Sequence, residues 1–101
     1  MINNIFDISK FVDVRTIEAV KADLVNNFIK RRKEYGYTQK QLSIRSGVSY
    51  ASIRRFEETG EISFSSLLLL ANAINKLEDF DNVFNKAIIK DINIKWKISR
   101  N

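Results

Sequence analysis

Length, composition and charge limit the kinds of protein this chain can be. It has 101 residues, 45% of them hydrophobic and 29% charged, a size and composition that suit one globular domain. It contains no cysteine and no histidine, which excludes disulfides, metal sites built on these residues and the commonest general base near pH 7. Because no convincing pair of catalytic carboxylates is present either, we expect no enzyme, no metal and no cofactor.

The sequence also bears on where the protein resides. Its first residues lack the basic stretch and the long apolar run of a secretion signal. The longest purely apolar run, residues 67–71, is far shorter than the roughly 20 residues that a membrane-spanning helix needs. We therefore expect a cytoplasmic protein without a membrane partner.

The net charge of +5 is unevenly distributed. Residues 28–60 carry eight basic and three acidic side chains, and residues 86–101 carry five and one, whereas acidic residues outnumber basic ones elsewhere. Clustered positive charge suits a polyanionic partner, although it is often only a solvated face. Both interpretations stay open for the C-terminal cluster, and the motif described below favours a nucleic acid for the central one.

The three glycines mark predicted helix ends, where a left-handed residue is commonly needed: Gly36, Gly47 and Gly60. Before the first of them, a helix is predicted over residues 16–34. Its expected buried face consists of apolar residues at helical spacing: Ile17, Val20, Leu24 and Phe28, with Val25 at the edge.

Two short helices are predicted between the first and the last glycine. Each begins after a hydroxyl side chain suited to an N-cap: residues 39–45 after Thr38, and residues 50–58 after Ser49. The apolar side chains that would hold these two helices at a fixed angle are Leu42, Val48, Ile53 and Phe56, with Ile44 as a further candidate.

Two more helices are expected after the third glycine. The fourth begins at Ser63 or Ser65 and continues through Ile74, with mostly core side chains. A fifth, short helix over residues 79–86 is expected to bury three side chains: Phe80, Val83 and Phe84.

The C-terminus changes its period from helical spacing to alternation. Four apolar residues alternate with polar ones, as in a half-buried strand: Ile92, Ile94, Trp96 and Ile98. A strand needs a partner, which could be the apolar N-terminal stretch around residues 5–14 or a second subunit. We expect these four side chains to form a dimer interface, although Trp96 could equally be ordinary core.

Residues 38–57 have the pattern of a helix-turn-helix, two short helices joined by a glycine turn. A plain helical connection would share that spacing. Over residues 28–74, however, the sequence resembles the lambda-repressor-like (XRE, Cro/CI-type) helix-turn-helix family. The matching features are Arg32, Thr38, Gln39, Leu42, the turn at 46–49, Ile53, Phe56, Glu57, Gly60 and the helix over 67–74.

This resemblance implies an all-α fold: a five-helix lambda-repressor-like helix-turn-helix domain, followed by a C-terminal β-strand used in dimerisation. The expected division of the chain is an N-terminal segment over residues 1–15, the DNA-binding domain over residues 16–86, and a C-terminal strand and basic tail over residues 87–101.

The resemblance also implies roles for single residues on double-stranded DNA. Four outward-facing side chains of the second motif helix would contact bases: Tyr50, Ala51, Arg54 and Arg55. Side chains at or near helix ends would contact phosphates: Arg32, Thr38, Gln39, Lys40, Ser49 and Ser52. Arg32 would also pair with Glu57 and so fix this recognition helix, unless both are merely solvated charges.

A second resemblance concerns residues 54–67 and 77–80, which are similar to HipB-type antitoxins. It implies a repressor that autoregulates its operon, binds a palindromic operator as a homodimer and binds a HipA-type kinase toxin. Two alternatives stay open: an autonomous phage or host repressor without a toxin partner, and a protein-binding adaptor.

Overall fold

The structure is a computed structural model that describes residues 14–89. Within this range, four α-helices are followed by one 3-10 helix: α1 Ile17–Tyr35, α2 Gln39–Ser46, α3 Tyr50–Thr59, α4 Phe64–Ala73 and the 3-10 helix Leu77–Asn82. Residues 14–89 contain no β-strand. The predicted C-terminal strand and its four apolar residues at positions 92–98 lie outside the described residues.

Local side-chain chemistry sets the start and end of each helix. A hydroxyl side chain accepts a hydrogen bond from a first-turn backbone N–H of every α-helix, and these N-caps are Thr16, Thr38, Ser49 and Ser63. Glycines in the left-handed conformation end α1, α2 and α3, because such a residue satisfies the last carbonyls at little steric cost. The helices predicted over residues 39–45 and 50–58 begin where α2 and α3 begin, and each ends one residue earlier.

The core lies where α1, α2, α3 and α4 meet. Its apolar members are buried, and three of them are fully inaccessible: Leu42, Ile53 and Leu70, with Val25, Phe28, Val48, Phe56, Ala71 and Ile74 around them. The rings of Phe28 and Phe56 pack edge to face with centroids 5.3 Å apart, a favourable aromatic geometry. This contact fixes α3 against α1.

The predicted buried face of α1 is only half right. Phe28 and the edge residue Val25 are buried, but three predicted core residues are exposed by 70%, 47% and 41%: Ile17, Val20 and Leu24. The reason is helix length. With 19 residues against 8 to 10, α1 is about 28 Å long and its neighbours only about 12–15 Å, so they leave its N-terminal half uncovered.

The predicted fifth helix is present, but its type and its bounds differ from the α-helix expected over residues 79–86. The chain forms a 3-10 helix over Leu77–Asn82 instead. Phe80 is half-buried against Phe64, with ring centroids 6.1 Å apart, but Val83 is 54% and Phe84 99% exposed. Phe84 has a φ of 59°, a left-handed conformation that does not continue a right-handed helix.

Ile44, a candidate core residue of α2, is 82% exposed. Leu42 is the buried residue of that helix. Two residues further along, the helix has turned by about 200°, so Ile44 lies on the opposite side from the core.

An exposed ion pair links α1 to the residue after Gly60. Lys21 Nζ donates a hydrogen bond to the Glu61 carboxylate. That hydrogen bond, and then the lysine charge, hold the pKa of Glu61 below its ordinary value. The same contact raises the pKa of Lys21. The pair lies where the backbone of Gly60 approaches α1.

We predict that Gly60→Ala destabilises the protein more than Gly36→Ala. Both glycines are left-handed, with φ of 80° and 99°, so alanine at either position costs about 1–2 kcal/mol. A methyl group on Gly60 would also lie 3.1 Å from Lys21 Cβ, whereas nothing lies within 4 Å at Gly36. We expect this crowding to lower the free energy of unfolding by about another 1 kcal/mol, as measured by urea unfolding. Equal losses for the two variants would contradict this packing argument.

Candidate nucleic-acid interface

A buried ion pair joins α1 to the C-terminal half of α3. Arg32 Nε donates to Glu57 Oε2 at 2.8 Å, and Arg32 Nη2 donates to Glu57 Oε1 at 3.0 Å. The two side chains are only 9% and 7% exposed. This is the bidentate geometry that makes arginine–carboxylate pairs strong and directional. The structure thus brings together the two residues that the family resemblance pairs.

Two further hydrogen bonds extend this pair to the rest of the motif. Gln39 Nε2 donates to Glu57 Oε1 at 2.8 Å, and Arg32 Nη1 donates to the Tyr37 carbonyl at 2.9 Å. The Glu57 carboxylate therefore accepts from the first residue of α2 as well as from α1. We call Arg32, Gln39 and Glu57 the anchoring network, because it ties α1, α2 and α3 together.

The contact between Gln39 and Glu57 is not predicted by the sequence. Gln39 is expected there to contact phosphate, but in the structure it is half-buried with its amide nitrogen on Glu57. Its backbone N–H, at the first position of α2, has no acceptor inside the helix. Nothing in the spacing of residues 39 and 57 indicates this contact, because it depends on how α2 and α3 cross.

Three hydroxyl side chains expected on phosphates also act inside the protein. Thr38 Oγ1 accepts from Gln41 N at 3.1 Å, while Gln41 Oε1 accepts from Thr38 N at 2.9 Å. Ser49 Oγ accepts from Ser52 N at 3.1 Å and donates to Ser52 Oγ at 2.8 Å. All three are exposed. Each hydroxyl is thus held in place at the N-terminal end of α2 or α3.

The outward face of α3 carries the residues expected to contact bases. Tyr50, Ala51, Arg54 and Arg55 are all exposed. They lie on the opposite side of the helix from Ile53 and Phe56, the two buried residues of α3. The structure therefore places the four side chains on one solvent-facing surface, with Arg54 one turn after Tyr50 and Arg55 one turn after Ala51.

Two cations flank the Tyr50 ring. Lys40 Nζ of α2 lies 5.5 Å and the Arg54 guanidinium 5.8 Å from the ring centroid, within the range of cation–π attraction. Arg54 Nη2 is also 3.5 Å from Glu58 Oε2. The i, i+4 spacing of positions 50 and 54 could have indicated the first-turn contact, whereas the Lys40 contact requires the tertiary structure. Positive charge is thereby gathered where α2 and α3 begin.

Residues 14–89 show no feature of a metal site or a membrane span. Among them, no group of three or more acidic side chains or other metal ligands comes together. None of the helices in this range has the length and apolar character required to cross a bilayer.

The comparisons with known proteins identify the family. The helix-turn-helix family model matches residues 29–80, a range that holds the end of α1, all of α2, α3 and α4, and most of the 3-10 helix. The chain belongs to the lambda-repressor-like (XRE-type) helix-turn-helix family, whose domains bind DNA and regulate transcription and are not enzymes. No curated protein and no solved structure matches the chain.

We predict that Glu57→Gln is far more damaging than Glu58→Gln. The first substitution leaves the buried Arg32 guanidinium without its counter-charge, which costs about 3 kcal/mol. Glu58 is 65% exposed beside Arg54, so its loss should change stability by about 0.5 kcal/mol or less. Urea unfolding followed by circular dichroism measures both. Similar stabilities for the two variants would show that the anchoring network does not hold the motif together.

Proposed function

We propose that the protein is a transcriptional repressor that binds a palindromic operator as a homodimer, with α3 in the major groove. The observation that carries this proposal is that α3 has an inner side fixed to the rest of the domain and an outer side that is basic. The anchoring network holds α3 through Glu57, while Arg54 and Arg55 project into solvent. Helix-turn-helix proteins present their recognition helix in this way.

The four residues of α3 that we expect to contact bases differ in the chemistry that they offer to a base edge. Arginine can bond bidentately to guanine O6 and N7, and the alanine methyl suits the thymine methyl. The Arg54 guanidinium already contacts the Tyr50 ring and pairs with the Glu58 carboxylate. Arg55, in contrast, forms no ion pair with another residue in the range 14–89. We therefore assign the principal base contact to Arg55, and supporting contacts to Tyr50, Ala51 and Arg54.

Phosphate contacts fall to the N-terminal ends of α2 and α3. Backbone N–H groups of the first turn have no acceptor inside a helix, and the helix dipole favours an anion there. Lys40 adds a positive charge in the first turn of α2. We propose that Thr38, Gln39, Ser49 and Ser52 line this phosphate surface. Arg32, buried behind Glu57, acts through the position of α3.

Dimerisation is part of the proposal because one short helix reads few bases. Two copies place their recognition helices one turn of DNA apart, about 34 Å, on a palindrome. We assign the dimer interface to Ile92, Ile94, Trp96 and Ile98, on their alternation in the sequence. The proposed division is a DNA-binding domain over residues 16–86, preceded by residues 1–15 and followed by a dimerising strand and basic tail over residues 87–101. A DNA-binding role implies a cytoplasmic location.

We predict that Arg54→Ala and Arg55→Ala each weaken sequence preference without unfolding the protein. Each lost base contact is worth about 1–3 kcal/mol, so the affinity for a selected operator should fall about 5- to 150-fold. The operator is first obtained by selection from random DNA, and fluorescence anisotropy then gives Kd on it and on unrelated DNA. Lys40→Ala is the matched control, because loss of a phosphate contact weakens binding to both DNAs alike.

Two outcomes would overturn this assignment. If the arginine variants keep both affinity and preference, α3 does not read bases through them. If no DNA is selected at all, the protein-binding adaptor becomes the better interpretation of the same fold.

The antitoxin role is a second, finer proposal. It rests on the similarity of residues 54–67 and 77–80 to HipB-type antitoxins, and it names a HipA-type kinase toxin as the partner. We predict that the product of the neighbouring gene co-purifies with the tagged protein as a stable complex. Absence of that complex, with operator binding intact, would favour an autonomous phage or host repressor.

A further inference from the structure

An apolar row on α1 has no partner among residues 14–89. Ile17, Val20 and Leu24 are 70%, 47% and 41% exposed. Their spacing of i, i+3 and i+7 places them on one side of the helix. Val14, just before the helix, is 70% exposed as well. A contiguous row of large apolar side chains is unfavourable in water and indicates a surface that something else covers.

The row runs into an apolar groove between α1, α4 and the 3-10 helix. The groove has a volume of about 210 Å³. Leu24 is the last residue of the row and also lines the groove. The other apolar residues that line the groove are Phe28, Leu67, Ala71, Ile74, Phe80 and Val83. No residue of α2 or α3 lines it, so this surface is separate from the candidate nucleic-acid interface. We call the row and the groove together the α1 face.

We propose that residues 2–13 of the same chain cover the exposed row of the α1 face, from Ile17 to Leu24, where the groove begins. Six of these twelve residues are apolar: Ile2, Ile5, Phe6, Ile8, Phe11 and Val12. Ile5, Ile8 and Val12 repeat the i, i+3, i+7 spacing of the exposed row. At 100° per residue, Asp7 and Lys10 would lie on the opposite side of such a helix. A helix over this segment would thus present Ile5, Ile8 and Val12 together on one side, and Phe6 beside Asp7 and Lys10 on the other.

The two apolar rows are also in register for an antiparallel hairpin. In the proposed arrangement Val12 would lie opposite Ile17, Ile8 opposite Val20, and Ile5 opposite Leu24, because the two position numbers add to 28 or 29 in every pair. Equal rise along both helices keeps such pairs level. Residues 14–16 are not helical, and the N-cap Thr16 has an extended backbone, which suits a short connection between antiparallel helices.

Proximity along the chain favours this occupant over a second copy. The segment is joined to the start of α1, so the loop to be closed is short and its entropic cost is small. A second copy would have to supply a complementary row and lose its translational freedom. Residues 5–14 are also the candidate partner of the C-terminal strand, but the α1 face follows them directly in the chain.

A cysteine-labelling experiment tests the proposal in the full chain, which has no cysteine of its own. Val20→Cys introduces a thiol on the α1 face, and Ile44→Cys is the control at an 82% exposed position on α2. Because Val20 is already 47% exposed, its exposure within residues 14–89 predicts only a small difference in labelling rate between Val20→Cys and Ile44→Cys. If residues 2–13 cover it, a maleimide should react with Val20→Cys at about a tenth of the control rate or less.

The Val20→Cys variant also distinguishes the two possible covers of the α1 face, residues 2–13 of the same chain and a second copy. Adding Ile5→Ser and Ile8→Ser to Val20→Cys should raise its labelling rate to that of the control, at every protein concentration. Equal rates for the two single cysteines would overturn the proposal. So would protection that survives the serine substitutions and grows with protein concentration, because a second copy would then be the cover.

A cross-link gives a measurement that does not depend on the serine variants folding. Ile8→Cys combined with Val20→Cys should form a disulfide within one chain, because antiparallel pairing brings these positions together. A non-reducing gel distinguishes that product from a covalent dimer. A dimer, or no cross-link after mild oxidation, would contradict coverage by the same chain.

Discussion

The position of the recognition helix depends on one buried ion pair. Arg32 and Glu57 are both nearly inaccessible, and removing each charge from water costs several kcal/mol. That cost is offset here because the guanidinium and carboxylate meet in bidentate geometry, and because Tyr37 and Gln39 occupy remaining hydrogen-bonding positions. The residues of the anchoring network lie on three different helices. The ion pair is therefore satisfied only when α1, α2 and α3 are in the observed arrangement.

This arrangement separates two roles within α3. Ile53, Phe56 and Glu57 face inward and fix the helix, while Arg54 and Arg55 face outward into solvent. The hydroxyls of Thr38 and Ser49 are already engaged as N-caps. An anion at these helix ends would therefore meet oriented backbone N–H groups, whose direction the caps preserve. Under the proposed function, positioning of the helix and reading of bases would fall to different residues of the same motif.

Local chemistry made much of the fold predictable, and tertiary geometry accounts for the errors. Hydroxyl caps and glycines act within one helical turn, so α2 and α3 could be bounded from the sequence. Periodicity shows which side of α1 is apolar, but it does not show how far the shorter neighbouring helices extend. For that reason Val20 and Leu24, which the periodicity predicts as core residues, are not covered by any of the helices among residues 14–89. The contact of Gln39 with Glu57 depends on a crossing angle that no spacing encodes.

The exposed half of α1 also bears on how a dimer could form. If residues 2–13 cover the α1 face, that face is unavailable to a second copy. The outward side of α3 must likewise stay open for DNA. Dimerisation then falls to the C-terminal alternation around Trp96, whose apolar side chains would pair across a two-fold axis. Under this proposed arrangement the two ends of the chain would differ in function, because residues 2–13 would complete the core of one subunit and residues 92–98 would join two subunits.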